Sequence, residues 1–441
     1  MMAKRNVLFL LALGCVVLFT ACGKSEPSKP DETSKPDEVE KTPEVEVASP
    51  RIPLSGVWRA VLDSPGGELP FMIEVLENED GVYLAWVRNG EERLPFSSVE
   101  VDDTKVKFVF DHYDSYLEGD IDSSGEVIDG EWSRRAMGEA RTTMKFRATK
   151  NIADRFDAMG ERDPLPVLAD ISGEWTVKFG DNADADPAMG IFKQEGRIVT
   201  GTFLTTLGDY RFLEGAYEYG MLRLSVFDGA HAFLFYAEVD QNGIMKGDFW
   251  SRDSHHETWT ATNGGVEMPD SYTLTKLTND QQHFAFSFPD LDGNMVSNED
   301  PRFKGKALIV CVFGTWCPNC NDEAQHLVEL YEEFHDQGLE IVGLANEFSE
   351  DFDTNVDIVQ RFNKKYGITW TQLIVGLADK AQTAKALADL DRVLSYPTTL
   401  FIDREGKVQK IYTGYTGPGT GEHFNKLDDD FRKTIVELLG K

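Results

Sequence analysis

Two cysteines separated by two residues, Cys317 and Cys320, stand where the chain changes its hydrophobic pattern. Before them, residues 307–313 form a continuous apolar run, which indicates a strand buried on both faces. After them, residues 321–337 carry apolar side chains at helical spacing, which predicts an amphipathic helix. The cysteine pair is therefore predicted to lie between the end of a buried strand and the start of a helix.

This position is suited to thiol chemistry. The unpaired N–H groups and the positive dipole at a helix N-terminus favour the thiolate, which is the nucleophilic form of cysteine. Two intervening residues allow both sulfur atoms to reach disulfide geometry within one helical turn. We therefore predict that Cys317 is exposed and attacks a substrate, and that Cys320 lies deeper and resolves the mixed disulfide.

The rest of the carboxy-terminal region alternates between strand and helix patterns. Further strands are predicted at 339–344, 371–375, 398–402 and 408–412, and further helices at 353–366, 381–390 and 427–439. This alternation predicts an α/β domain with a mainly parallel sheet and helices on both faces.

The region before residue 264 contains an internal repeat. Ser55–Trp58 recurs as Ser172–Trp175, and Glu131–Arg134 recurs as Phe249–Arg252, at offsets of 117 and 118 residues. Alternating apolar residues and closely spaced turn signals predict about eight short antiparallel strands in each copy. Each copy is thus predicted to be an all-β barrel or sandwich. The Gly-x-Trp opening resembles lipocalin- and streptavidin-like barrels.

The repeats offer no recognisable catalytic spacing. Their tryptophans are predicted to fill the cores, with a ligand cup as the alternative: Trp58, Trp132, Trp175 and Trp250. His255–Glu257 is interpreted as a polar turn rather than a metal site. We assign this half to scaffolding or partner binding.

The amino terminus indicates export. Lys4 and Arg5 precede an apolar run, residues 7–21, which is too short to cross a ~30 Å hydrocarbon core comfortably. A basic start and an apolar middle are typical of a secretory signal peptide. The residues before Cys22 resemble the lipobox of bacterial lipoproteins, with Phe19 a departure from the usual Leu. This resemblance implies that Cys22 is lipidated; an ordinary signal peptide is the alternative.

Residues 23–50 are rich in Pro, Glu, Lys, Ser and Thr, which predicts a disordered tether. The predicted organisation is a signal peptide at 1–21, a tether at 22–50, β-rich repeats at 51–150 and 170–263 joined by a linker at 151–169, and the α/β domain at 277–441.

Four segments of the α/β region, in this order, resemble the TlpA/ResA-type thiol–disulfide oxidoreductases of the thioredoxin-like superfamily. They are Phe286–Gly293, Phe313–Glu323, Gly338–Gly343 and Tyr396–Asp403. The resemblance covers about a third of the chain, from residue 284 to residue 440, and implies a thioredoxin-like fold there.

The resemblance also implies roles for individual residues. Cys317 matches the nucleophilic cysteine, and Cys320 matches the resolving cysteine. Pro397 matches a cis-proline that faces the dithiol and accepts substrate backbone. Glu323 matches an acid that tunes the thiols, and a solvated carboxylate in the first helical turn is the alternative.

Trp316, Tyr396 and Pro397 are the candidate substrate-binding residues. Two positions depart from the family pattern. Cys311 occupies a strand position that often holds a buried Asp or Asn, and we interpret it as an inert core residue rather than a third redox thiol. Tyr396 is bulky for the residue before the cis-proline and narrows substrate access.

Charge and cysteine content exclude several classes of protein. Lys and Arg number 44 against 76 Asp and Glu, so the net charge of −32 provides no basic footprint for nucleic acid or an anionic membrane surface. Five cysteines in 441 residues do not make a disulfide scaffold. No cofactor and no metal is predicted.

Three other functions remain open at this stage. A zinc site would need a second pair of ligands that the sequence does not present. A peroxiredoxin would need a proline that is missing, although Thr315 is present. A binding lipoprotein would use the β repeats as its main functional part. Covalent haem attachment is excluded because Asn321, not His, follows Cys320.

We therefore predict a membrane-tethered, extracytoplasmic thiol–disulfide oxidoreductase, acting as a reductase on thiol or disulfide protein substrates. Its electron donor is not named by the sequence.

Overall fold

Two large antiparallel sheets come first along the chain and an α/β domain follows them. The computed structural model describes residues 53–138, 140–160, 170–180, 186–280 and 282–440. The predicted signal peptide, Cys22, the tether and residues 161–169 of the predicted linker lie outside these residues. All of the described residues belong to one compact unit, Ile52–Lys441.

The first sheet is an open meander. Its strands are β1 Gly56–Ser64, β2 Gly67–Glu77, β3 Tyr83–Asn89, β4 Glu92–Pro95, β5 Ser98–Asp102, β6 Lys105–Phe110, β7 Ser115–Ile121, β8 Val127–Arg135 and β9 Arg141–Lys150. They lie in the order β4-β3-β2-β1-β9-β8-β7-β6-β5. Val106, Phe108 and Phe110 of β6 all point into the core, as their alternation predicts.

The second sheet closes on itself. Its strands are β10 Gly173–Phe179, β11 Ala188–Glu195, β12 Ile198–Thr205, β13 Gly208–Asp209, β14 Leu213–Glu218, β15 Met221–Phe227, β16 Ala232–Val239, β17 Met245–Ser251 and β18 His255–Asn263. Because β11 pairs with both β10 and β12, the ladder forms a barrel. The prediction of antiparallel all-β domains is confirmed, whereas the duplication itself stays a prediction.

Tryptophans fill the cores of both sheets. Trp58, Trp132 and Trp175 are fully buried. The indole N–H of Trp58 donates to the carbonyl of Leu54 at 2.8 Å, and that of Trp175 donates to the carbonyl of Ile171 at 2.9 Å. The same local bond therefore anchors the opening strand of each sheet.

The two sheets also pack against each other. Phe227 of the second sheet stacks on Phe71 of the first, with ring centroids 4.3 Å apart. Trp250 is only half-buried and covers Gly66, where an added Cβ would lie 2.4 Å from the indole ring. This close approach requires glycine, and Trp250 therefore joins the two sheets rather than filling one core.

The α/β domain contains a short hairpin and a five-stranded sheet. The hairpin strands are β19 Ser287–Pro289 and β20 Met295–Ser297, and the sheet strands are β21 Ala307–Phe313, β22 Leu339–Glu347, β23 Thr371–Leu377, β24 Thr398–Ile402 and β25 Val408–Thr413. The helices are α1 Pro318–Phe334, α2 Phe352–Tyr366, α3 Lys380–Ala386 and α4 Glu422–Leu438, with 3-10 turns at His335–Gln337 and Pro418–Thr420. A further 3-10 turn, Asp111–Tyr113, lies between β6 and β7 of the first sheet.

The sheet order is β23-β22-β21-β24-β25. The β21–β22 and β22–β23 pairs are parallel, whereas the β21–β24 and β24–β25 pairs are antiparallel. The expectation of a mainly parallel sheet is therefore corrected to a mixed sheet. Strand β24 runs antiparallel to β21, and the β24–β25 hairpin then reverses the chain again without a helical crossover.

The predicted strand-to-helix junction is present. Every residue of β21 is buried, as its unbroken apolar sequence predicts. Helix α1 begins at Pro318, with Cys317 as its N-cap. Proline is favoured at the first helical position because its missing N–H would have no partner there. Among the helices of the described ranges, none has both the length and the apolar composition that crossing a bilayer requires.

Candidate active site

The two cysteines of the Cys-x-x-Cys segment carry free thiols at the start of α1. The Cys317 thiol lies 3.3 Å from the Tyr396 carbonyl oxygen and within hydrogen-bonding reach of Cys320. Cys317 is 7% exposed and Cys320 2%. The predicted order of depth is present, but the prediction that Cys317 is exposed is wrong, because it is covered in the folded chain.

Burial controls the acidity of the inner cysteine. It raises the pKa of Cys320 well above the ordinary value of a thiol, and the neighbouring Cys317 thiol raises this pKa further. Cys320 therefore needs a base that removes its proton before it can attack a disulfide.

The loop before β24 faces the dithiol. The Tyr396–Pro397 peptide bond is cis, as the family resemblance implies. The Tyr396 hydroxyl lies 2.7 Å from Thr383 Oγ1, so the ring is fixed away from solvent. Both Tyr396 and Pro397 are buried.

The Trp316 ring forms one wall of the site. It stacks on Phe348, with ring centroids 4.6 Å apart, and meets Tyr396 edge-on at 5.5 Å. Its indole N–H donates to the Asn346 carbonyl at 2.9 Å. A Cβ on Gly314 would lie 2.2 Å from the indole nitrogen, so this glycine makes room for the ring.

Glu323 is fully buried behind the dithiol. Thr399 Oγ1 donates to one carboxylate oxygen at 2.5 Å, and the Cys311 thiol donates to the other at 2.7 Å. Burial raises the pKa of Glu323 to about 7, although both hydrogen bonds oppose that rise. The alternative of a solvated first-turn carboxylate does not describe this residue, which is 0% exposed.

Residues of the two β sheets complete the cover over the dithiol. Arg134 Nη2 donates to the Trp316 carbonyl at 3.1 Å. The Leu207 carbonyl accepts from Ser395 Oγ at 3.0 Å, directly before the cis peptide. Asn319, between the two cysteines, donates to the Asp209 carbonyl at 3.3 Å.

Arg211 is the centre of this contact. Its guanidinium is 4% exposed and donates to Asp322 Oδ1 at 2.7 Å and to the Pro318 carbonyl at 3.1 Å, both near the start of α1. It also pairs with Glu92 of the first sheet and with Asp228, which follows β15 in the second, the latter at 3.4 Å. Burial raises the pKa of Asp322 to about 8, with Arg211 opposing and neighbouring carboxylates adding to the rise.

A second contact joins the first sheet to α2. Lys365 Nζ lies 2.9 Å from His112 Nε2; the His112 side chain is buried and Lys365 is half-buried. Burial lowers the pKa of Lys365 to about 7 and that of His112 to about 3. Sequence reasoning missed these residues because nothing in their local spacing distinguishes them from surface charges.

The His255–Glu257 segment, considered above as a metal site, does not converge on the dithiol. His256 pairs with Asp248 and His255 with Glu257, all on the exposed side of the second sheet near the start of β18. Within the described ranges, no group of three or more His, Cys, Asp or Glu side chains is placed to hold a metal ion.

Comparison with known proteins agrees with this geometry. The profile of the AhpC/TSA family matches residues 280–411. The thiol-disulfide oxidoreductase ResA of Halalkalibacterium halodurans is 31% identical over 148 residues, which are 33% of this chain and 75% of that protein. ResA of Bacillus subtilis is 30% identical over 129 residues, covering 29% of this chain and 64% of that protein.

Among solved structures, a thiol:disulfide interchange protein from Chlorobium tepidum shares 25% sequence identity, with a TM-score of 0.28, over 37% of this chain and 98% of that one. Through its α/β domain, the chain belongs to the ResA/TlpA-like thiol–disulfide oxidoreductases, which have the thioredoxin fold. The predicted family resemblance is thereby confirmed.

The raised pKa of Glu323 predicts a pH-dependent stability. Between its unfolded value of 4.5 and its folded value of about 7, the folded chain holds this proton more tightly than the unfolded chain does. The contribution of Glu323 to the free energy of unfolding should therefore fall by about 3 kcal/mol as the pH rises through this window. Glu323→Gln does not titrate and should lose this dependence.

The measurement is urea unfolding of both reduced proteins at a series of pH values. Glu332→Gln, an exposed change on the same helix, serves as the control. A difference between wild type and Glu323→Gln that stays constant with pH would contradict the assignment.

Proposed function

We propose that this chain is a membrane-tethered, extracytoplasmic reductase of protein disulfides that cycles Cys317 and Cys320 between dithiol and disulfide. The observation that carries the proposal is the free pair of thiols at the start of α1, opposite the cis Tyr396–Pro397 bond, in a domain of the ResA/TlpA-like family. Pro397, Tyr396 and Trp316 then contact the substrate beside the dithiol.

The reaction transfers two electrons. The Cys317 thiolate attacks one sulfur of a substrate disulfide, forms a mixed disulfide and releases the other sulfur as a thiolate. Glu323 takes the proton from Cys320, whose thiolate attacks Cys317. The mixed disulfide breaks, the Cys317–Cys320 disulfide forms, and the substrate leaves fully reduced. An external dithiol must then reduce the enzyme again.

The environment of Cys320 supports the direction of reduction. A dithiol becomes a strong oxidant when its thiolate form is stabilised. Here burial disfavours the Cys320 thiolate, as its raised pKa indicates. The disulfide is thus favoured over the dithiol, which is the property of an electron donor.

The location rests on the sequence of the amino terminus. The basic start, the apolar run and Cys22 support export and lipid attachment. In an oxidising compartment, a tethered reductase would keep selected thiols reduced.

The β sheets would control access to the dithiol. The Thr205–Arg211 segment contacts Asn319, Ser395 and the first turn of α1. A protein substrate that reaches Cys317 must displace this segment, so the covered arrangement is a resting form. This role differs from that of an independent binding module.

Trapping tests the redox assignment. In Cys320→Ser, Cys317 should form a stable mixed disulfide with glutathione after exposure to oxidised glutathione, because no second thiol resolves it. Mass spectrometry of the Cys317 peptide provides the measurement. Cys317→Ser should form no adduct on Cys320, which lies deeper. Absence of an adduct in Cys320→Ser contradicts the proposal.

Peroxide consumption tests a second candidate function, which the AhpC/TSA profile match favours. Rapid removal of hydrogen peroxide by the reduced wild type, without turnover of a disulfide substrate, would identify a peroxidase instead.

The variant Arg211→Gln tests whether the β sheets cover the dithiol. It removes the cation that joins Asp322 to Glu92 and Asp228, so a maleimide should label Cys317 several-fold faster than in the wild type. Arg223→Gln is the matched control, because Arg223 pairs with Glu218 within the second sheet. Peptide mass spectrometry gives the rate, and unlabelled Cys311 shows that the α/β core stays folded. Equal rates of Cys317 labelling in the wild type, Arg211→Gln and Arg223→Gln would contradict the proposal that the β sheets cover the dithiol.

Cys22→Ser tests the anchor. We expect the wild type to sediment with membranes and to incorporate labelled palmitate, and the variant to do neither. A variant that remains membrane-bound and labelled would place the anchor elsewhere.

A further inference from the structure

Cys311 is a buried thiol that lies beside both Glu323 and Cys320. It is a residue of the central strand β21, 6% exposed, and its thiol donates to Glu323 Oε2 at 2.7 Å. It also lines a small cavity of about 10 Å³ together with Cys320. One buried thiol thus contacts the carboxylate on one side and borders the space beside the resolving cysteine on the other.

The Glu323 carboxylate depends on two donors. Thr399 of β24 satisfies one oxygen and Cys311 satisfies the other. A buried carboxylate that loses one of two donors is left with an unsatisfied oxygen, and its charged form becomes less favourable. Both donors therefore keep this base able to ionise near neutral pH.

Other titratable groups also surround Glu323. Tyr412 of β25 and Tyr415, which follows that strand, are both buried, with pKa values raised chiefly by burial, and the charge of Glu323 adds to the rise. Their phenols are neutral at pH 7, so they add no charge that replaces a lost donor. Cys320 lies on the same helix as Glu323 and is neutral until it gives up its proton.

We propose that Cys311 is a positioning residue for Glu323 in the step in which Cys320 resolves the mixed disulfide. The proposal rests on the proposed function. In that step the Cys320 proton passes to Glu323, the Cys320 thiolate bonds to the Cys317 sulfur, and the bond from Cys317 to the substrate sulfur breaks. Cys311 keeps its proton and its electrons throughout. It is neither an inert core residue nor a third redox thiol.

Two substitutions of Cys311 distinguish these three roles. Cys311→Ala removes the donor, and Cys311→Ser keeps a donor while removing the thiol. With a positioning role, the pH midpoint of resolution should rise by about one unit in Cys311→Ala, and Cys311→Ser should stay close to the wild type. With a redox role, resolution would be defective in both variants. With an inert role, the pH midpoint of resolution would shift in neither.

The step is measured with 5,5′-dithiobis(2-nitrobenzoate) on the reduced full chain, in a Cys22→Ser background. The first release of the coloured thiolate reports attack by Cys317, and the second reports resolution by Cys320. The rate of the second release is followed from pH 5.5 to pH 9. The pH dependence of unfolding of each variant gives a readout that is independent of this reaction, because it follows the same carboxyl.

Thr399→Val provides a second test that leaves Cys311 intact. It removes the other donor to Glu323 and should shift the second release in the same direction as Cys311→Ala. Thr413→Val is the matched control, because this buried threonine donates to Thr275 and not to Glu323. The results for Thr399→Val and Thr413→Val do not depend on the stability of Cys311→Ala.

The outcomes separate the two proposals. If neither the wild type nor any variant shows the first release, the redox function fails. If both releases occur and Cys311→Ala matches the wild type at every pH, only the positioning role fails. If the second release is impaired as much in Cys311→Ser as in Cys311→Ala, the positioning role is also overturned, in favour of a redox thiol.

Discussion

The buried guanidinium of Arg211 is the interaction on which the arrangement of the described chain depends. It lies in the connection between β13 and β14 of the second sheet, yet it pairs with Glu92 of the first sheet and with Asp322 of α1. Removing one partner of a buried ion pair costs about 3–5 kcal/mol, because the remaining charge stays buried without compensation. The contact therefore fixes both sheets against the helix that carries the dithiol.

Burial also determines the chemistry of the site. The thiol of Cys320 and the carboxyl of Glu323 are both removed from water, and both are harder to ionise for that reason. An acid with a pKa of about 7 next to a weakly acidic thiol is suited to accept and return a proton under physiological conditions. The same exclusion of water that slows thiol ionisation makes the carboxylate a usable base.

The sequence was sufficient for features that depend on local pattern. The unbroken apolar run of β21 predicts a buried strand, and the pattern after it predicts that Cys317 stands at the start of a helix. Both features depend on neighbours in the chain. Arg211, Asp322 and Lys365 were not identified, because their role depends on contacts between residues more than 100 positions apart. The burial of Cys317 was missed for the same reason: the residues that cover it lie in another domain. The antiparallel direction of β24 against β21 was not predicted, because it depends on the long connection through α3 rather than on the local pattern of either strand.

The convergence of three carboxylates on Arg211 joins the β half of the chain to its α/β domain. Asp322, near the start of α1, pairs with Arg211, which comes from the β half. Without the β half, this carboxylate would lose its cation, so the two halves of the chain form one interdependent structure.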